Sequence, residues 1–302
     1  MKKHNRIGLI ALFFFTYLAA NSQSVLWCIS GKNLSKPSYL FGTIHIQDRQ
    51  VFELSDSLLP AIERADFLAL ELDLSAINPM EMMRMMMLPE GKTLQDLFSK
   101  EDYAFIKREF EAQTGQSVEL FSSFKPMMLL TFIMLNHLGE SDNAPMALDQ
   151  FLNYYALAKN TTVLGIESIE EQVKVMDEMP NSAIVETLME KDSVDLVMDE
   201  LIKAYVHGDL AKVAKLMKED KTYGKWMNQL IDKRNKIMFE RTYEQIKNKE
   251  SLVIAVGTGH LAGKKGLIEL YRKKGFIVEP IIADKTPVSD EIWEEVMKFK
   301  KF

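Results

Sequence analysis

Hydrophobic positions along the chain change their period several times, and the changes divide it into elements. Two short apolar runs, Val25 to Ile29 and Tyr39 to His45, flank the turn-forming Gly31-Lys32-Asn33 and Ser35-Lys36-Pro37, which predicts a β-hairpin. Ser55 to Ala65 has helical spacing, and Phe67-Leu68-Ala69-Leu70-Glu71-Leu72 reads as a buried strand. The pattern is helical from Pro79 to about Asn160 and again from Ile169 to about Lys249, with a β-branched run, Val163 to Ile166, between. After that the chain alternates: strand Leu252 to Val256, helix Leu261 to Lys274, strand Phe276 to Ile282 and helix Asp290 to Lys301. β segments at both ends therefore enclose a large helical middle. The predicted class is α/β, a mixed sheet completed when N- and C-terminal strands meet.

Within the helical middle, Met127 to Leu135 is apolar but too short to span a bilayer, and is expected to be the central buried helix. Met80, Met82, Met83, Met85, Met86 and Met87 form an unusual cluster. Methionine fills irregular gaps, so the cluster reads either as an amphipathic core or edge helix or as an adaptable apolar lip for a peptide or lipid-like ligand.

The first 22 residues stand apart. Lys2, Lys3 and Arg6 precede an apolar run from Ile7 to Ala20, and Ala20-Asn21-Ser22 offers a small-x-small cleavage site. This is the pattern of a secretory signal peptide, leaving one domain over residues 23–302, exported to a periplasmic or extracellular space and without a membrane span after cleavage. The remaining chain has 34 basic and 43 acidic residues, a net charge of −9. The lack of a dense basic cluster argues against nucleic acid as the main partner, and a peptide or small-molecule substrate is expected. Cys28 is the single cysteine, so an internal disulfide and any multi-cysteine metal site are excluded.

Chemistry concentrates at the ends of the β runs. Gly42-Thr43-Ile44-His45 and Gly257-Thr258-Gly259-His260 each close one. With 14 Gly and 5 His in 302 residues, chance supplies about 0.2 Gly-x-x-His tetrapeptides, and there are two. Sites in open α/β sheets lie beyond the carboxyl ends of strands, where glycine admits a ligand and imidazole offers a metal ligand or base. Glu71 interrupts an apolar strand, which is costly unless compensated. Glu167 closes Val163 to Ile166, and Asp73 is expected to share the face of Glu71. His45, His260 and Glu71, with Glu167 as a fourth, make a ligand set for divalent Zn, Mn, Co or Fe, with a spare carboxylate as general base. The same residues could activate water without metal. His137 and His207, near helix carboxyl ends, read as structural. No Gly-x-Ser-x-Gly, His-Glu-x-x-His or phosphate-binding loop occurs.

The ordered set Gly42-Thr43-Ile44-His45, Ala65 to Asp73, Leu148-Asp149, Gly165-Ile166-Glu167-Ser168 with Glu171-Gln172, Tyr205 to Asp209, Arg234-Asn235 and Val256 to Leu267 resembles the TraB/PrgY/GumN family over about residues 25–282. Gly257-Thr258-Gly259-His260 replaces the family's usual Gly-Ala-Gly-His. The resemblance implies kinship with the Tiki metal-dependent peptidases, and more distantly with erythromycin esterases and ChaN-like proteins. It implies His45, Glu71 and His260 as the polar centre, a divalent metal (Mn, Co or Zn), and roles for Glu167, Asp149 and Arg234. Arg234 is suited to grip a substrate carboxylate through two hydrogen bonds. The leading expectation is an exported metallohydrolase, most plausibly a peptidase. The alternatives are a protein that sequesters peptides or hydrophobic ligands without catalysis, and a metal-free esterase.

Overall fold

The computed structural model describes residues 23–138, 144–189, 191–219, 224–226 and 228–300. The proposed signal peptide lies outside the described residues. Six strands form the main sheet: β1 (Leu26–Ser30), β2 (Ser38–Thr43), β4 (Phe67–Leu70), β5 (Thr162–Gly165), β6 (Leu252–Gly257) and β7 (Ile277–Pro280), in the order β5-β4-β6-β2-β1-β7. β3 (Glu53–Ser55) and β8 (Lys285–Pro287) form a small antiparallel pair that the sequence pattern does not predict.

The expected mixed sheet from the two ends of the chain is present. β1 and β2 form the antiparallel hairpin, with Leu26 opposite Phe41 and Ile29 opposite Ser38. β2 lies parallel to β6 and β1 antiparallel to β7, so C-terminal strands flank the N-terminal hairpin on both sides. β4 is parallel to both β6 and β5. Strands covered on both faces should be continuously apolar rather than alternating. Leu252 to Val256 and Leu68 to Leu70 are indeed fully buried. Four parallel strands, β5, β4, β6 and β2, therefore point their carboxyl ends at one edge. The register brings Thr43 level with Gly257 and Leu70 level with Gly165.

The helical middle divides between two cores. The helices Leu148–Ala158, Lys191–Val206 and Lys233–Lys247 contribute Phe151, Tyr205 and Met238 to the main core over the sheet. The helices Lys100–Thr114, Pro126–Leu138 and Ser182–Met189 build a smaller one from Ile106, Phe110, Leu129 and Leu188. Met127 to Leu135 is thus not the central helix. Its Leu129 and Ile133 belong to the smaller core, Met128 is also buried, and its other described side chains are half-buried. The Met-rich segment forms the helix Pro79–Met86 with none of its residues buried, which rules out the core reading. The helix predicted from Leu261 begins only at Leu267, because Gly263 at φ +83° first turns the chain.

Candidate active site

All four ionisable residues singled out from the β runs emerge from the carboxyl edge of the parallel strands. His45 lies two residues beyond β2, Glu71 one beyond β4, Glu167 two beyond β5 and His260 three beyond β6. The carboxyl edge of a parallel sheet is where ligands bind in α/β folds.

Both glycine motifs are tied together before any chemistry is considered. The Thr258 hydroxyl donates to the Thr43 carbonyl at 2.6 Å, and the buried Tyr205 hydroxyl donates to the Gly42 carbonyl at 3.0 Å. A Cβ on Gly42 would meet Thr258 Oγ1 at 2.9 Å, so the bare position lets the two loops touch. At Gly257 the reason differs. A Cβ there would stand 3.3 Å from Glu71 Oε1, 3.4 Å from His45 Nε2 and 3.7 Å from His260 Cδ2. Glycine leaves open the space onto which these three side chains converge.

The polar network around that space fixes the orientation of each group. Glu71 Oε1 accepts the Gly257 N–H at 2.8 Å and lies 3.9 Å from His45 Nε2 and 3.8 Å from His260 Nε2. His45 Nδ1 meets Asp149 Oδ2 at 2.5 Å. Behind His260, Asn235 Nδ2 donates to the Lys265 carbonyl at 3.0 Å, which makes Oδ1 the atom 2.7 Å from His260 Nδ1. An amide oxygen only accepts, so His260 Nδ1 carries the proton and its Nε2 presents a lone pair. Asp149 sets the same tautomer on a neutral His45. Partners of this kind on the remote nitrogen are how proteins hold metal-binding imidazoles.

Arg234 is not free for a substrate carboxylate. It follows a π-helical turn, Asn228–Asp232, near the start of the helix Lys233–Lys247. Nε donates to Glu167 at 2.9 and 3.2 Å, Nη2 to Glu167 and Glu71 at 2.5 Å each, and Nη1 to the Leu230 carbonyl at 3.2 Å. Gln172 Nε2 bridges the same two carboxylates at 3.2 Å each. The Glu167 side chain is only 2% exposed and stands behind Arg234, whereas Glu71 faces the imidazoles. Asp149 supports His45. Asp73 does not join them, because the strand ends at Leu70 and strict alternation ends with it. Its carboxylate instead closes a turn on the N–H and hydroxyl of Ser75. His207 Nδ1 donates to the Lys203 carbonyl at its helix end. The side chain of His137 lies outside the described residues.

Charge separates the two histidines. The carboxylate of Asp149 pushes His45 up to about 9 against the effect of burial. Burial dominates at His260 and brings it down to about 4, so its ring is neutral near pH 7. Burial also opposes ionisation of Glu71, but His260, Arg234, His45 and the Gly257 N–H outweigh it and hold the carboxyl at about 2. Gln172 and Asn235 are the participants that residue-type reasoning passes over. Their amides do no acid–base work, and the only sequence sign of them is their place beside Glu171 and Arg234.

Two imidazole lone pairs and one carboxylate oxygen are a suitable donor set for a divalent transition metal. Among the described residues no group of three or more His, Cys, Asp or Glu is placed so that it could hold a metal ion as it stands. Donors at 2.0–2.2 Å from a tetrahedral ion lie about 3.4 Å apart. The Glu71–imidazole gaps of 3.9 and 3.8 Å would thus close by about 0.4 Å, within the reach of side-chain rotation. The donor types suit such an ion, and the partners that orient the rings are already in place.

Human metalloprotease TIKI1 is 26% identical to the chain over an alignment covering 85% of this chain and 62% of its own length. Zebrafish (Danio rerio) metalloprotease TIKI2 is 24% identical with 85% and 61% covered, and the Nematostella vectensis metalloprotease TIKI homolog 24% with 86% and 67%. The first two relatives are therefore matched over about three-fifths of their length. No solved structure matches the chain. The profile of the TraB/PrgY/gumN family matches residues 25–280, which includes every strand of the main sheet and every residue of the polar centre, and the chain belongs to that family.

Proposed function

We propose that this protein is an exported metal-dependent hydrolase that cleaves peptide bonds, with His45, Glu71 and His260 holding a divalent Mn, Co or Zn ion. The observation that carries this reading is the convergence of two tautomer-fixed Nε2 atoms and Glu71 Oε1 on the space left open by Gly257. The names of the relatives point to the same chemistry. When bound, such a metal lowers the pKa of a water ligand and polarises a carbonyl.

The chain's own residues then have distinct tasks. Asp149 and Asn235 keep both Nε2 atoms facing inward. Arg234 keeps Glu71 ionised and aimed, and Glu167 with Gln172 keeps Arg234 in place. Of the two carboxylates expected to assist the attacking water, Glu71 is the one facing the open space, and we assign that task to it. Glu167 acts through Arg234. The spacing of 3.8–3.9 Å among the polar groups favours catalysis over simple sequestration. Export rests on residues 1–22, and no helix of the described residues is long and apolar enough to cross a membrane.

Purified protein should take up the metal and cleave peptides in the presence of Mn, Co or Zn, and His45→Ala and His260→Ala should abolish both. Absence of metal uptake together with activity indifferent to those substitutions defeats the reading. A second reading rests on the split between the imidazoles, one charged and one neutral, which is the arrangement of an acid–base pair. Ester turnover resistant to chelators would favour it.

A further inference from the structure

Each glycine motif carries a threonine directly after its first glycine, and the two hydroxyls are used differently. Thr258 donates to the Thr43 carbonyl at 2.6 Å and ties the loops together. Thr43 is itself only 1% exposed, yet its Oγ1 is buried with no hydrogen-bond partner among the described residues. No other strand residue of the described chain has a buried side-chain polar atom left in this way. A hydroxyl shut off from water with nothing to bond destabilises the fold, and valine in its place would avoid that cost. Such a group calls for a use outside the packing.

Its place in the sheet indicates the use. β2 and β6 run parallel, with Thr43 level with Gly257. Residues level on neighbouring strands project to the same face, and the strands lie about 4.8 Å apart. A Cβ on Gly257 would point into the space bounded by Glu71 Oε1, His45 Nε2 and His260 Cδ2, at 3.3, 3.4 and 3.7 Å. The Cβ of Thr43 therefore stands on that face one strand away, about 5 Å from the same point. Gly42, one residue back, faces the other way, where a Cβ would meet Thr258 and Leu261. Because the strand order is β4-β6-β2, Glu71 approaches the space from one side of Gly257 and Thr43 from the other. A turn of about 120° around χ1 moves Oγ1 between its staggered positions, which brings it within reach of a ligand oxygen there.

Hydrolysis needs a hydrogen-bond donor at this place. Water adds to the carbonyl carbon, and the π electron pair moves onto the carbonyl oxygen. The pair returns when the C–N bond breaks and the amine leaves with the proton that the water gave up. Glu71, ionised, only accepts, and neutral imidazoles holding an ion have no proton left on Nε2. The Thr43 hydroxyl can donate. We propose that Thr43 is a catalytic residue whose O–H donates to the carbonyl oxygen of the scissile peptide bond as charge develops on it. This rests on the hydrolase reading and deepens it.

The test compares wild type with Thr43→Val, which keeps the branched shape without the hydroxyl, and Thr43→Ser, which keeps the hydroxyl. With peptide substrate and Mn, Co or Zn, Thr43→Val should lower kcat by roughly 10²–10³ and leave KM nearly unchanged. Thr43→Ser should restore most of the rate. Thermal unfolding without metal should show Thr43→Val melting no lower than wild type, because an unpaired buried hydroxyl has been removed. Metal uptake by calorimetry should be unchanged. A Thr43→Val enzyme with wild-type kcat overturns the proposal, as does Thr43→Ser as slow as Thr43→Val. A lower melting temperature in Thr43→Val would assign the hydroxyl to the fold, and lost metal uptake would assign it to the ion; either overturns the proposal. If the wild type cleaves nothing, a labelled phosphonamidate peptide, whose phosphoryl oxygens stand in for the charged oxygen, is followed by fluorescence anisotropy. Binding weakened at least about tenfold by Thr43→Val would then support the donor while the hydrolase reading fails. Equal binding, or none, sinks both.

Discussion

Replacing Gly257 with alanine separates the two reasons a glycine can be needed. Its backbone lies at φ −47° and ψ 134°, a region open to every residue, so alanine introduces no backbone strain. Reducing the freedom of the unfolded chain should raise stability by about 0.4–1 kcal/mol where the new side chain fits. The added methyl would stand 3.3 Å from Glu71 Oε1 and 3.4 Å from His45 Nε2. Those contacts are close but tolerable for side chains that can yield by a few tenths of an ångström, so the net effect on the metal-free protein should lie within about 1 kcal/mol of zero.

The space itself is a different matter, because a methyl group and an ion coordinated at 2.0–2.2 Å by both atoms cannot share it. Thermal unfolding with and without metal reads both effects in one experiment. For the wild type, metal at a hundredfold excess over its dissociation constant adds about 2.7 kcal/mol of stability. Gly257→Ala should keep the metal-free transition and lose the metal-induced shift, together with peptide hydrolysis. A variant that retains the full shift and full activity would show that the space above Gly257 is not where the ion goes. A variant whose metal-free transition collapses would show that Gly257 serves the fold.

Arg234→Met should destabilise the protein by about 3–5 kcal/mol in urea unfolding, since Glu167 and Glu71 would be left buried without their cation, and Glu167→Gln in the same chain should recover part of the loss. Asp149→Asn should remove the carboxylate that lifts His45 to about 9. Below that pH metal must displace a proton from Nε2, so wild-type affinity measured by calorimetry should rise up to about tenfold per pH unit toward pH 9, whereas the variant's rise should level off near the ordinary imidazole value of about 6.5. In the metal-free protein His260 is held at about 4, below the ordinary 6.5, so the unfolded chain binds the proton first. Stability should therefore begin to fall as pH drops below 6.5 and continue to fall toward 4, ahead of ordinary carboxylate protonation, and His260→Asn should flatten that limb of the unfolding curve.

What the sequence made legible, and what it hid, follows from how each residue earns its place. His45, Glu71, Glu167 and His260 are visible because each breaks or closes an apolar β run, and a parallel sheet sends the ends of its strands to one edge. The fold is legible for the same reason: Leu252 to Val256 can only be a strand covered on both faces. β3 and β8 escape because three-residue strands such as Lys285–Pro287 have no alternation to read. The Met-rich helix is left open between core, edge and lip because hydrophobicity alone does not say which way a face points. Arg234 is the instructive case. Its residue type and motif suggested a substrate carboxylate, and nothing local marks the two glutamates it holds, 67 and 163 positions away. Those partners also explain how Glu71 can interrupt a buried strand end: with a guanidinium, an amide, a backbone N–H and two imidazoles around it, ionisation becomes the favoured state. The same arrangement turns Glu167 from a candidate base into an anchor, because a carboxylate sealed behind Arg234 can reach the open space only by breaking the contacts that keep Glu71 in position. Glu167→Gln should accordingly lower activity by letting Arg234 and Glu71 drift, with the remaining activity keeping its wild-type pH profile. Loss of one limb of that profile would return Glu167 to the role of proton acceptor.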